Sequence, residues 1–177
     1  KLNFPCYAYT EHNYAFPKRY QKIFRQSEDG DLMAEKVIQF LDSRKIEKSQ
    51  QEEVLFLPGS RPRHFIHLAP YFVDVIQCIR TQHPGFKAAL ALSPFISEDL
   101  AKKTFDALDL TGIRLIEKPD LSDIQDAKLM ISVPGTSTSE AMYLRTPMMT
   151  VIPLIKPQAL IFDGVMGLLS DIPFIGL

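Results

Sequence analysis

This sequence of 177 residues has two cysteines, almost no excess of one charge over the other and no long apolar run. Each of these features argues against a class of protein. The two cysteines, Cys6 and Cys78, lie far apart, which favours a reduced cytosolic chain over a disulfide-stabilised one. A formal net charge of -1 argues against a general nucleic-acid-binding protein. No apolar segment reaches the ~18–20 residues of a bilayer span, and no signal peptide opens the chain, so we expect a cytoplasmic protein.

Several enzyme motifs are missing as well. The sequence has no G-x-S-x-G elbow, no Walker A lysine loop and no G-x-G-x-x-G fingerprint, which argues against P-loop and dehydrogenase functions. No spacing of His, Cys, Asp or Glu matches a metal site, so we predict neither a metal nor a cofactor. His12, beside Glu11, is a weak candidate for a general base. His64 follows an arginine-containing turn, where a surface role and contact with a ligand are both open.

From Glu53 onward, apolar runs of strand length alternate with segments of helical spacing. This alternation predicts βαβ units, and therefore an α/β fold with a doubly wound parallel sheet and helices on both faces. The first 52 residues do not join the pattern. We predict strands at 54–57, 87–92, 114–117, 129–133, 148–152 and 173–175, and helices at 65–81, 97–108, 121–126, 137–144 and 159–169.

The clearest functional signal is a glycine turn between a predicted buried strand and a predicted helix, residues 134–140 with the sequence PGTSTSE. Such a turn directs backbone N–H groups and the positive end of the helix dipole at one place, which suits a phosphate. Glu140, one helical turn further on, is spaced to reach a ribose hydroxyl beside that phosphate. Alternatively, Ser137 and Glu140 form a capping box, which stabilises a helix start without any ligand.

A second glycine turn follows the predicted strand at 54–57 and has the sequence PGSRPRH, residues 58–64. Gly59 and Ser60 permit close approach of the backbone to a ligand, and the Arg61 guanidinium suits phosphate oxygens. The alternative is an ordinary connection with its arginines in solvent. Ligands of parallel α/β sheets bind beyond the carboxyl ends of the strands, where both turns are expected, so together they predict a nucleotide-linked ligand.

These motifs together resemble those of the lipid-A-disaccharide synthases, which are glycosyltransferases of the GT-B type. LPGSR, GTSTSE and a Pro-Met pair at Pro147 occur here in the family's order. The resemblance implies that residues 31–177 form the Rossmann-like C-terminal half of a GT-B fold, truncated at its end. Residues 1–30 would be a remnant of the acceptor-side domain. The chain departs from the family pattern at His64, where a glutamate is expected, and at Pro134, where a serine is expected.

The resemblance also implies a reaction. The family transfers 2,3-diacylglucosamine from UDP to 2,3-diacylglucosamine 1-phosphate in lipid A biosynthesis, without a metal, as a peripheral enzyme at the cytoplasmic face of the inner membrane. Carried over to this chain, Gly135, Thr136 and Ser137 hold the pyrophosphate, Glu140 the ribose, and Arg61 a phosphate. The UDP-sugar is then a substrate rather than a cofactor.

The expected partners are the two lipid-linked sugars, the membrane surface and a second copy of the chain, but not nucleic acid. Because the general base belongs to the family's N-terminal half, we expect this chain alone to bind UDP without catalysing transfer. Two other hypotheses stay open. One is a different GT-B glycosyltransferase or a UDP-sugar epimerase, and the other is a non-catalytic module that binds a nucleotide sugar.

Overall fold

The computed structural model divides the chain into two units, residues 1–45 and 46–177. In the first unit, strand β1 (Cys6–Ala8) pairs in parallel with strand β2 (Phe24–Gln26), and helix α1 spans Leu32–Ser43. The boundary predicted between residues 30 and 31 stays a prediction. The structure describes residues 6–8, 24–26, 32–44 and 52–151.

The described part of the second unit contains five strands and four helices, each at a place where the sequence pattern predicts one. The helix and strand predicted at 159–169 and 173–175 lie outside the described residues. The elements are β3 (Glu53–Leu57), α2 (Pro62–Gln82), β4 (Lys87–Leu92), α3 (Glu98–Phe105), β5 (Ile113–Glu117), α4 (Leu121–Asp126), β6 (Leu129–Ser132), α5 (Thr136–Leu144) and β7 (Met148–Thr150).

All five strands of this unit are parallel and lie in the order β5-β4-β3-β6-β7. The chain therefore moves from β3 outward to β5, crosses back over β3, and continues outward through β6 and β7. Right-handed crossovers in opposite directions place the helices on opposite faces of a sheet. In agreement, α2 packs against α3, and α4 packs against α5. The predicted α/β fold with a doubly wound parallel sheet is confirmed.

Strand β3 is buried because the sheet covers its two edges and helices cover its two faces. Its residues from Val54 to Leu57 are all apolar and buried, which is typical of a central parallel strand. Phe56 is fully buried, and its ring packs against that of Phe72 on α2, with 5.5 Å between the ring centroids. This packing fixes α2 against β3, and with it the turn that joins them.

On the other side of the sheet, a buried hydroxyl ties α4 to the chain beyond α5. Thr146 is 5% exposed, and its Oγ1 donates a hydrogen bond of 3.0 Å to the carbonyl of Ile124. That carbonyl lies in the last turn of α4, where no further helical N–H is available to it. Thr146 therefore satisfies a buried acceptor that α4 itself leaves open.

We expect Thr146→Val to lower the free energy of unfolding by about 1–2 kcal/mol, because it leaves the buried Ile124 carbonyl without its donor. Thr104→Val is the matched control, since the Thr104 hydroxyl bonds to the Leu100 carbonyl within its own helix. Urea denaturation followed by circular dichroism measures both variants. Equal stability of the two variants would contradict the role of Thr146.

Candidate functional site

The two glycine turns lie side by side at the point where the direction of the sheet's winding changes. Strands β3 and β6 are paired to their last residues, with Leu57 opposite Ser132. After β3 the chain turns toward β4, and after β6 it turns toward β7, so the two connections diverge. The crevice beyond such a switch point is where open α/β sheets bind ligands.

The two turns are in contact through Gly59. Its φ of +98° lies in the left-handed region, which only glycine adopts without strain. A Cβ built on Gly59 would lie 3.4 Å from Cγ2 of Val133 and 3.8 Å from Cβ of His64. The backbone conformation therefore requires glycine at position 59, and the first turn rests directly on the residue that opens the second.

Gly135 presents the opposite case. Its backbone is extended, with φ 170° and ψ -168°, a conformation open to any residue. A Cβ built there would meet no atom of the described residues within 4 Å. Neither backbone strain nor packing accounts for glycine at this position. Its effect is to leave the start of α5 open to close approach of a ligand.

The two helices that begin at the switch point have no side-chain cap, whereas their neighbours do. Gly135 precedes α5 and Arg61 precedes α2, and neither provides a side-chain cap hydrogen bond. In contrast, Ser97 accepts from the Leu100 N–H at the start of α3, and Asp120 forms a capping box at the start of α4. At α5 the missing cap leaves the N–H groups of Thr136 and Ser137 for an anion, whereas at α2 Pro62 has no N–H and the His64 N–H donates to the Arg61 carbonyl.

The capping box that the sequence suggested for Ser137 and Glu140 is not formed. Helix α5 begins at Thr136, so Ser137 is its second residue rather than its N-cap. The interpretation of this motif as a ligand-independent helix cap is therefore wrong. Glu140 lies in the second turn of α5, is half-buried and interacts with another group of the protein.

Two buried hydroxyl groups hold the second turn, and neither was predicted as a site residue. Thr138 is 2% exposed, and its Oγ1 donates to the Gly135 carbonyl at 2.6 Å. Ser132 is also 2% exposed and donates to the Val133 carbonyl at 2.9 Å. The available signal was the spacing of Thr138, three residues after Gly135, which is typical of a local bond from a hydroxyl to the backbone.

The first turn carries the positive charge of the site. The Arg61 carbonyl accepts the N–H groups of His64 and Phe65, each at 2.9 Å, and the fully buried Phe65 ring anchors this start of α2. The side chains of Ser60, Arg61 and Arg63 are exposed. Loss of hydration lowers the pKa of His64 below its usual value, and the nearby charges of Arg61 and Arg63 lower that pKa further.

The predicted binding residues thus fall into two adjoining groups. One group is Gly59, Ser60 and Arg61 at the end of β3; the other is Gly135, Thr136 and Ser137 after β6, with Glu140 further along α5. His12 lies outside the described residues. Within residues 6–8, 24–26, 32–44 and 52–151, no cluster of three His, Cys, Asp or Glu side chains could hold a metal. No helix in those ranges is both long and apolar enough to span a bilayer.

A family model and the relatives found by sequence agree on one family. The sequence model of the lipid-A-disaccharide synthetase family matches residues 30–161. A lipid-A-disaccharide synthase from Francisella philomiragia is 29% identical over 105 residues, which make up 59% of this chain and 28% of the relative. That of Francisella tularensis subsp. novicida is 30% identical over 111 residues, or 63% of this chain and 29% of the relative. The match spans less than a third of either relative.

Solved structures with a similar backbone include S. aureus MnaA with UDP, with a TM-score of 0.48 and 14% identity over 75% of this chain and 37% of that chain. Another is the UDP-GlcNAc 2-epimerase of Methanocaldococcus jannaschii, with a TM-score of 0.43 and 22% identity over 66% of this chain and 33% of that one. The E. coli heptosyltransferase WaaC has a TM-score of 0.40 and 16% identity, over 77% and 42% of the two chains.

The two glycines should differ in their importance for stability. We expect Gly59→Ala to lower the free energy of unfolding by about 1–3 kcal/mol, because alanine is strained at the φ of +98°. Gly135→Ala, its matched control, should change that free energy by no more than about 0.5 kcal/mol. Chemical denaturation of both variants checks this, and a larger loss in Gly135→Ala would show that packing explains Gly135 after all.

Proposed function

This chain belongs to the lipid-A-disaccharide synthetase family, and we propose that it binds the UDP-sugar donor of a glycosyl transfer at the two adjoining glycine turns. The observation that carries the proposal is Gly135. Neither its backbone conformation nor its packing against residues 52–151 and the other described segments requires glycine there, yet it stands at an uncapped helix start directly beside the turn that carries Arg61. A diphosphate bound between the turns would account for all three features.

Each side chain has a role in this proposal. The backbone N–H groups of Thr136 and Ser137 bind the diphosphate, and Arg61 adds a charge-assisted hydrogen bond from the opposite turn. Ser60 and Gly59 shape that turn, and the carboxylate of Glu140 accepts from a ribose hydroxyl. Thr138 and Ser132 are positioning residues, because they act on the turn rather than on the ligand.

The chemistry that this site supports is stabilisation of the leaving group. In the transfer, an acceptor hydroxyl attacks the anomeric carbon of the donor sugar, and the bond from that carbon to the diphosphate oxygen breaks. The electron pair of the broken bond stays on UDP, so negative charge develops at the diphosphate. Preorganised backbone donors and Arg61 stabilise that charge, which is a main route by which enzymes lower such barriers.

The substrates and the place of the enzyme in the cell are proposed from the family. The substrates would be UDP-2,3-diacylglucosamine and 2,3-diacylglucosamine 1-phosphate, and these lipids would bring the enzyme to the cytoplasmic face of the inner membrane. Self-association through a sheet edge also belongs to the proposal. Because none of the described side chains is assigned as the base that deprotonates the acceptor, we expect this chain alone to bind the donor without transferring the sugar.

Titration calorimetry with UDP tests the binding site. We expect saturable binding that Arg61→Ala weakens by about tenfold, since a charge-assisted hydrogen bond to phosphate is lost. Glu140→Ala should weaken the binding of UDP as well. Lys103→Ala, which removes an exposed positive charge from α3, is the control and should bind like the wild type. A folded wild-type chain without affinity for UDP would refute the proposal.

Gly135→Ala separates binding from folding. We expect it to weaken UDP binding by about tenfold, because a methyl group would occupy the space through which the diphosphate approaches the backbone. The same protein should unfold at the wild-type urea concentration. Unchanged affinity in this variant would place the diphosphate somewhere other than the start of α5.

A further inference from the structure

His64 is the last residue of the first glycine turn and also lies in the first turn of α2. Its N–H bonds to the Arg61 carbonyl at 2.9 Å, so it belongs to the first turn of α2. Its Cβ is 3.8 Å from the position that a Cβ on Gly59 would occupy, and Gly59 in turn lies against Val133. The exposed side chain of His64 therefore extends from a Cβ beside the turn that borders the crevice proposed for the diphosphate.

The strongest charge effects on this imidazole all have the same sign. Arg61, Arg63 and His67, from the same two turns of α2, each disfavour a proton on His64. The acidic residues that begin the neighbouring helix α3, Glu98 and Asp99, are not among the leading causes that shift its pKa, and neither is Glu140 on α5. Desolvation, which acts most strongly, works in the same direction and lowers the pKa of His64. Without a ligand, His64 is thus predominantly neutral at neutral pH.

We propose that His64 is a further binding residue for the donor's diphosphate, and that it binds in its protonated form, so that nucleotide binding takes up a proton. The inference rests on the proposed function, because it places the diphosphate between the two turns. A doubly negative ligand there offsets the repulsion from Arg61 and Arg63. With the diphosphate bound, the positive charges of Arg61 and Arg63 are balanced, and they no longer oppose a proton on His64 to the same extent.

The direction of the pH effect follows from linkage. Bound diphosphate favours the imidazolium, so the pKa of His64 is higher in the complex than in the free protein. Affinity must therefore rise as the pH falls through the interval between these two pKa values, by at most about tenfold per pH unit for one proton. Below the lower value and above the higher one, the affinity no longer changes with pH through this residue, and it is highest on the low-pH side.

The test is calorimetric titration of the whole chain with UDP-N-acetylglucosamine between about pH 8 and about pH 5.5, the range in which histidine titrates. This probe suits the purpose because its diphosphate, esterified at both ends, does not titrate there, unlike the terminal phosphate of UDP. We expect the association constant to rise by about three- to fivefold toward low pH, the size expected for a partly exposed charge pair. Titrations in buffers of different ionisation enthalpy should show proton uptake directly.

Three variants assign the effect to this residue. His64→Gln should bind with the wild-type affinity of high pH at every pH, and His64→Lys with roughly the wild-type affinity of low pH at every pH. His83→Gln, at the opposite end of α2, should keep the wild-type profile. Circular dichroism confirms that each variant is folded, and all three changes are at exposed positions.

The possible outcomes separate the role of His64 from the existence of the donor site. Measurable binding with a flat pH profile, or a pH dependence that survives in His64→Gln, overturns the role of His64 and leaves the donor site in place. Absence of binding at every pH by a folded chain overturns the donor site, and the role of His64 with it. A rising profile that is lost only in the His64 variants supports both.

Discussion

The pairing of β3 with a neighbour on each edge is the constraint on which the rest of the described sheet depends. Because β4 pairs with one edge and β6 with the other, the chain must leave β3 and β6 in opposite directions. That arrangement creates the switch point. It also brings Gly59 against Val133 and places the starts of α2 and α5 side by side. The buried apolar character of β3 enforces it, since an edge position would expose residues that only a central strand can bury.

Stability and binding make different demands on the same helices. A side-chain cap contributes about 1 kcal/mol to a helix start, and α3 and α4, which are short, both have one. Helix α2 is 21 residues long and buries Phe65, Phe72 and Ile76, so packing holds it without a cap. Helix α5, with nine residues, also has no side-chain cap, and its first N–H groups are the backbone donors that an anion at the switch point can use.

The sequence predicted the sheet well because its strands are uninterrupted apolar runs. Strand β4 and helix α4 match their predicted bounds to the residue, since a turn-forming or capping residue flanks each of them. The start of α2 was placed at Phe65, where the apolar spacing begins, although Pro62 opens the helix. The three-residue strand β2 was not predicted, because so short a segment carries no periodicity of its own. The capping-box interpretation of α5 failed for a related reason: a spacing of residues does not determine which of them begins the helix.

The contrast between Gly59 and Gly135 bears on how related sequences are to be interpreted. The left-handed backbone at Gly59 requires glycine for the turn itself. A related protein that no longer binds the ligand therefore still needs it. A side chain at Gly135 would meet no atom of the described residues, so mutation can replace this glycine once selection for ligand binding ends. Among proteins with this sheet, retention of the first glycine without the second would therefore indicate lineages that have kept the fold and no longer bind the ligand.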